Sequence, residues 1–179
     1  MIRARPKSGT AAVLDSSLLA EARVVVTPPA SDCVHALDAG TTSSPLLADY
    51  TRLSPADTWH DGAAFGWVGT VPEASDSGLP DVFRRDYVRG GGPCVLRLQL
   101  PAGACTAYLL TGDPNTFTRT LIVEVDGAEK ARSDELTGRE FQWLAVPLDG
   151  GSAGRAVDLR LSAKSGDTWH LSACVVVAD

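Results

Sequence analysis

Six aromatic residues sit among the Pro, Ser, Asp and Gly residues of the segment 40–92: Tyr50, Trp59, Phe65, Trp67, Phe83 and Tyr87. An indole or phenol ring offers a flat apolar face, and a sugar ring offers a C–H-rich face that packs on it. Sugar hydroxyls then need polar groups at the rim. Asp57, Asp61, Arg84, Arg85, Asp86, Asp113 and Asn115 are placed to supply them. One of the two neighbouring arginines could also fork onto a ligand carboxylate, as in a uronic acid. The sharpest form of this expectation is a platform of Trp67 with Tyr50 or Trp59, with polar contacts from Arg85, Asp86, Asp113 or Asn115. Trp67 follows Gly66 and precedes the 69–80 loop, a position expected at a strand end where loops gather. The opposing reading is that these rings are core, as Trp and Tyr in β-sandwiches commonly are. Trp143 and Trp169 lie on alternating strands and read as core rather than ligand-facing.

Covalent chemistry has no comparable signature. The chain contains no G-x-S-x-G, H-E-x-x-H or P-loop pattern. Its three histidines, His35, His60 and His170, are far apart in sequence. Gly90-Gly91-Gly92 precede a strand and not a helix, so they read as a flexible turn and not a phosphate cradle. The four cysteines show no C-x-x-C spacing. They allow three disulfide pairings, of which Cys33–Cys174 would join the first and last core strands. The alternative is four small buried hydrophobes.

The elements that would position the aromatics read as strands. Cys94–Leu100 alternates strictly, with Cys94, Leu96, Leu98 and Leu100 on one face. Pro101-Ala102-Gly103-Ala104 then predicts a turn, and Cys105–Leu110 a return strand, the two forming a hairpin. Thr118–Val125 is the next strand, closed by Asp126-Gly127, a strong hairpin signal. Phe141–Leu148 and Val157–Leu161 alternate likewise. In the last strand, Thr168–Val177, Trp169, Leu171, Ala173 and Val175 are expected to share a face. Short strands punctuated by Gly, Pro and Asp predict a sandwich or barrel. Val34–Asp38 and Trp169–Val177 are expected to be antiparallel neighbours. The break at Thr27-Pro28-Pro29-Ala30 divides the chain into an extension over residues 1–31, the remnant of a preceding domain or an added edge strand, and a β-sandwich over 32–179.

With 179 residues, 44% of them hydrophobic, the chain can bury a core without disulfide or metal. A net charge of −6 argues against a nucleic-acid partner. No apolar run approaches the length of a membrane helix. A basic start, Arg3 to Lys7, is followed by no apolar stretch of the kind a signal peptide carries.

Five motifs occur in a fixed order: Leu37-Asp38-Ala39-Gly40 with Ser44-Pro45, Tyr50-Thr51-Arg52-Leu53, Phe65-Gly66-Trp67, Arg84-Arg85-Asp86-Tyr87, and Leu109-Leu110-Thr111-Gly112-Asp113. This order resembles the galactose-binding-like, carbohydrate-binding jelly-roll domain of bacterial beta-agarases, rhamnogalacturonan acetylesterase-type esterases and polysaccharide lyases. The resemblance spans about residues 34–178. Ala39, Phe65 and Thr111 depart from the family's pattern, so fold carries over better than ligand specificity. The resemblance implies an all-β, galactose-binding-like jelly roll. It also implies a non-catalytic accessory domain that binds polysaccharide or oligosaccharide beside a catalytic domain, in a secreted bacterial protein. No organic cofactor is implied. Related jelly rolls often hold a structural calcium, but no Asp-rich loop here marks its ligands. Two other functions remain open: a structural spacer that binds no sugar, and a small esterase or lyase fragment, which would need a nucleophile–base pair within hydrogen-bond reach.

Overall fold

The computed structural model describes residues 33–115 and 117–179. The expected division at residue 31 and the reading of the extension therefore lie outside the described residues. In chain order the strands are β1 (His35–Ala39), β2 (Thr51–Leu53), β3 (Phe65–Val68), β4 (Glu73–Asp76), β5 (Asp86–Gly90), β6 (Cys94–Leu100), β7 (Ala104–Gly112), β8 (Ile122–Val125), β9 (Ala128–Arg132), β10 (Phe141–Asp149), β11 (Arg155–Ser162), β12 (Trp169–Leu171) and β13 (Ala173–Ala178). One helical turn, α1 (Val82–Arg85), precedes β5; the Asp81 carboxylate caps it by accepting from the Phe83 N–H.

Two five-stranded sheets, β10-β7-β13-β1-β2 and β3-β6-β11-β8-β9, pack face to face as a jelly-roll-type sandwich. A third sheet, β12-β5-β4, links them, because β12 runs on into β13 and β5 into β6. Leu96, Leu98, Leu109, Val146, Leu159 and Val176 fill the space between the large sheets. β1 and β13 are antiparallel neighbours, with His35 opposite Val176 and Asp38 opposite Ala173, as the sequence predicts. Asp126-Gly127 also turns as expected: both residues have positive φ, 52° and 76°, and Val125 faces Ala128 across the turn.

Three expectations need correction. β6 and β7 do not form a hairpin. β6 pairs with β3 and β11 in one sheet, and β7 with β10 and β13 in the other, so residues 101–103 arch across the core. The strand expected from Thr118 begins only at Ile122, and Thr118 makes an isolated bridge to Leu136. The last strand breaks at Ser172, which shifts its parity. Trp169, Leu171, Cys174 and Val176 face the sandwich core, while Ala173, Val175 and Val177 face the opposite side.

That opposite side is itself covered. Tyr108, Leu110, Trp143, Ala173 and Val175 form a second apolar layer beneath Tyr50 and the Phe83 of α1. The first large sheet is therefore apolar on both faces. The 40–92 segment supplies β2 to β5 and part of this cover. Cys174 is a free, fully buried thiol opposite Leu37, so the Cys33–Cys174 bridge does not form.

Candidate functional site

The expected aromatic platform is not a surface feature. Trp67 is 1% exposed. β3 pairs with β6 so that Trp67 lies opposite Leu96 and turns between the sheets. Its indole N–H donates to the Ser54 carbonyl at 2.9 Å, and its ring lies 6.5 Å from that of Trp169. Gly66 is needed for close approach and not for an unusual backbone angle: a Cβ there would come within 2.6 Å of the Trp59 backbone nitrogen. Tyr50, 6% exposed, packs edge-to-face on Phe83 at 5.7 Å. Asp86 and Asp113 are buried, which removes them from a ligand-facing rim. Trp59 is half-buried with the Arg97 guanidinium over its ring at 5.5 Å, on the segment paired with β3. Arg85, at the end of α1, forks onto Asp76 at 2.7 and 2.8 Å. Asn115 is exposed beyond β7, and its backbone N–H donates to the Asp113 carboxylate at 2.7 Å.

The motif residues converge instead on two buried polar clusters. In the first, Asp38 accepts from the Leu47 N–H at 2.8 Å. The Ser44 hydroxyl donates to Asp86, and Arg52 donates to the Thr41 and Ser44 carbonyls and to the Ser44 hydroxyl. A Cβ at Gly40 would collide with the Asp86 carboxylate. Burial pushes the Asp38 carboxyl up to about 6, against the Leu47 hydrogen bond. Asp86 is also raised, chiefly by burial and against the Ser44 bond. These contacts lock the β1–β2 connection to the start of β5.

In the second cluster, burial pushes the Tyr87 phenol up, with the Asp113 carboxylate adding to the shift. The Tyr87 ring lies 4.7 Å from that of His170. His170 Nδ1 lies 3.3 Å from the Thr118 hydroxyl and 3.8 Å from Asp113. Burial lowers the His170 pKa and favours the neutral ring. A Thr–His–Asp set invites comparison with a catalytic triad, but a triad uses the two ring nitrogens separately. Here both neighbours meet Nδ1, and all three residues are buried. This set holds Asp113 and Thr118 to β12.

Directly outside this cluster the third sheet presents a polar face. The register sets His170, Arg89 and Glu73 side by side across β12, β5 and β4. Their strand neighbours Trp169, Leu171, Val88 and Ala74 turn into the core. Arg89 and Glu73 border an open cleft of about 400 Å³, together with Thr70, Val71, Pro72, Gly90, Gly91, Gly92, Cys94 and Thr168. That volume falls within the range of small-ligand sites. The floor is fixed by Trp169: its indole N–H donates to the Gly92 carbonyl at 2.8 Å, and its ring leaves no room for a Cβ on Gly90. A Cβ on Gly91 or Gly92 would meet nothing within 4 Å, so bare backbone lines this edge. Arg119 forms an ion pair with Asp167, the residue before Thr168, and lies over the exposed ring of Phe117. Sequence reasoning missed this site. The triple glycine was its only local signal, and it reads equally well as a turn.

A calcium ion fits poorly here. It takes six to eight oxygens. Among the described residues, no three His, Cys, Asp or Glu side chains stand together as a metal site. The buried carboxylates Asp38 and Asp86 already share their surroundings with the Arg52 guanidinium. No ligand set follows from these residues.

No protein-family profile and no curated protein matches the chain. Solved structures do. Protein YxiM from Bacillus subtilis superposes with a TM-score of 0.57 at 17% identity, over 81% of this chain and 40% of that one. A calcium-binding mutant of Bacteroides uniformis beta-glucuronidase 2 superposes with a TM-score of 0.56 at 13% identity, over 81% of this chain and 18% of that one. The plant receptor-like kinase FER follows at 0.54 and 10% identity, over 81% and 42%. The chain thus spans less than half the length of each of these proteins, from 18% to 42%, and what it has in common with them is an all-β sandwich fold.

Proposed function

We propose that this chain is a non-catalytic accessory domain that binds carbohydrate in the cleft bordered by β4, β5 and Thr168, beside a catalytic domain of a secreted bacterial protein. The observation that carries the reading is the cleft itself. It brings a charged pair, two threonines and unobstructed glycine backbone to one concave edge of a rigid sandwich. Sugar sites need this mix of fixed polar groups and open surface. The motif order supports the reading through the family it resembles. A neighbour that is by name a beta-glucuronidase supports it too, since the matched portion is only 18% of that chain, the share expected of an appended domain. Such modules bind weakly one at a time and act by raising effective concentration.

The test is a glycan array followed by titration calorimetry with the best ligand. Arg89→Ala should weaken binding about tenfold or more. The melting temperature should stay near that of the parent, because an exposed ion pair contributes at most about 1 kcal/mol. A second reading, a spacer that binds no sugar, is favoured by the burial of Trp67 and Tyr50. It stands if the array is blank; unaltered sugar binding in Arg89→Ala would instead place the sugar site outside this cleft.

A further inference from the structure

The arrangement around Arg89 says more than that the cleft is polar. Both Nε and Nη2 of Arg89 donate to a single oxygen of Glu73, at 3.2 and 3.1 Å. Two donors on one acceptor waste the fork, which matches the two oxygens of one carboxylate far better. The partners are also loosely held, with side chains 44% and 76% exposed. An ion pair so exposed contributes little and is exchanged at little cost. Compare Arg97–Asp158 and Arg85–Asp76, where Nε and Nη2 each meet a different oxygen at 2.6–2.8 Å. Those arginines are committed to the fold, whereas Arg89 is not.

The flanks of Arg89 point the same way. Burial of its cross-strand neighbour His170 disfavours the charged ring. The buried carboxylate of Asp113, beside His170, already accepts from the Asn115 N–H. Thr70 and Thr168 stand in the same cleft with hydroxyls, and Gly91 and Gly92 leave the approach to it sterically open. Glu73 therefore serves as a stand-in carboxylate at a position that an incoming carboxylate would fill with better geometry.

Resting on the carbohydrate-binding reading above, we infer that the cleft takes an acidic sugar, with the ligand carboxylate displacing Glu73 from Arg89 in a two-point fork. Glu73 then weakens binding by competing for Arg89, and its removal tightens it. A neutral sugar would show no such gain.

The experiment compares trigalacturonate with neutral galactotriose by titration calorimetry, using the full chain and its Glu73→Gln, Arg89→Ala and Arg89→Lys variants. The inference predicts that trigalacturonate binds and galactotriose binds at least about tenfold more weakly. Glu73→Gln should tighten the acidic ligand severalfold. Arg89→Lys, which keeps the charge but loses the fork, should lose nearly as much affinity as Arg89→Ala. Equal or better binding of galactotriose, or weakening of trigalacturonate by Glu73→Gln, overturns the acidic-sugar inference while leaving carbohydrate binding intact. If the parent chain binds neither trisaccharide nor any glycan on the array, the carbohydrate reading falls with it.

Discussion

Asp38 and Asp86 show what a motif residue can be for. Both belong to the short motifs that suggested a sugar-binding domain, and both are 1% exposed. Their outer carboxylate oxygens, Oδ1 in each, have no hydrogen-bond partner. Such an arrangement costs stability when the groups are charged. The Asp38 carboxyl rises from 3.8 to about 6 on folding, with burial as the main cause. The folded state therefore prefers the protonated form. Asp38 imposes no cost below pH ~4, where it is protonated folded or unfolded, and a growing cost as pH rises to 6, above which the cost is constant. A shift of this size corresponds to about 2–3 kcal/mol. Asp38→Asn should accordingly raise the urea midpoint at pH 7 and flatten the stability profile between pH 4 and 6.5. A variant less stable than the parent at pH 7 would mean that the charged Asp38, with Arg52 nearby, is a net asset.

At the scale of elements, the triple glycine after β5 separates fold from site. A Cβ on Gly90 would lie 2.7–2.9 Å from the Trp169 indole, a large fully buried ring with nowhere to go. Gly90→Ala should cost about 1–3 kcal/mol through overpacking. Gly91→Ala should be close to neutral, since nothing lies within 4 Å. Equal denaturant midpoints for the two variants would contradict the packing described for Trp169. The sequence made the elements themselves readable where alternation is strict. Cys94–Leu100 is a strand end to end, and Asp126-Gly127 turns as its composition requires. It left strand partnership unreadable. Pro101-Ala102-Gly103 turns the chain whether the next strand pairs with the last or crosses to the facing sheet, because local turn chemistry encodes the bend and not the destination. The parity slip at Ser172 is equally silent, since apolar residues flank it on both faces. The candidate site failed in sequence for a related reason. Residue type marks Trp67 as able to stack, but only the sheet to which β3 belongs decides which way it points. Arg89, Glu73 and Thr168 meet through strand pairing between segments that share no local pattern.

Across the whole molecule, the described residues contain two large sheets, a linking sheet and two apolar layers. Among them, no helix is long and apolar enough to cross a membrane. Among the described residues both layers are filled from 33–177, and the Thr27-Pro28-Pro29-Ala30 break precedes the first of their strands. We therefore propose that the sandwich folds without the segment before it. A chain beginning at Ser31 should remain soluble and melt in one cooperative step at a temperature close to that of the full chain. Loss of cooperativity, followed by differential scanning calorimetry, would show that residues before 31 complete the second layer.

The pairing of β1 with β13 has a mechanical consequence. The chain enters the sheet beside Val176 and leaves it at Ala178, so both points of attachment lie at the same end of one antiparallel ladder. Tension applied between them loads the rungs one after another, from the Val34–Val176 bond on β1 and the Asp179–Ala104 bond at the end of β13, and never all together in shear. Each rung offers only the modest net strength of a single hydrogen bond. A sandwich anchored in this way yields at low force by peeling from its entry edge, and in a strained tether between a substrate surface and a larger body it would be the link that opens first.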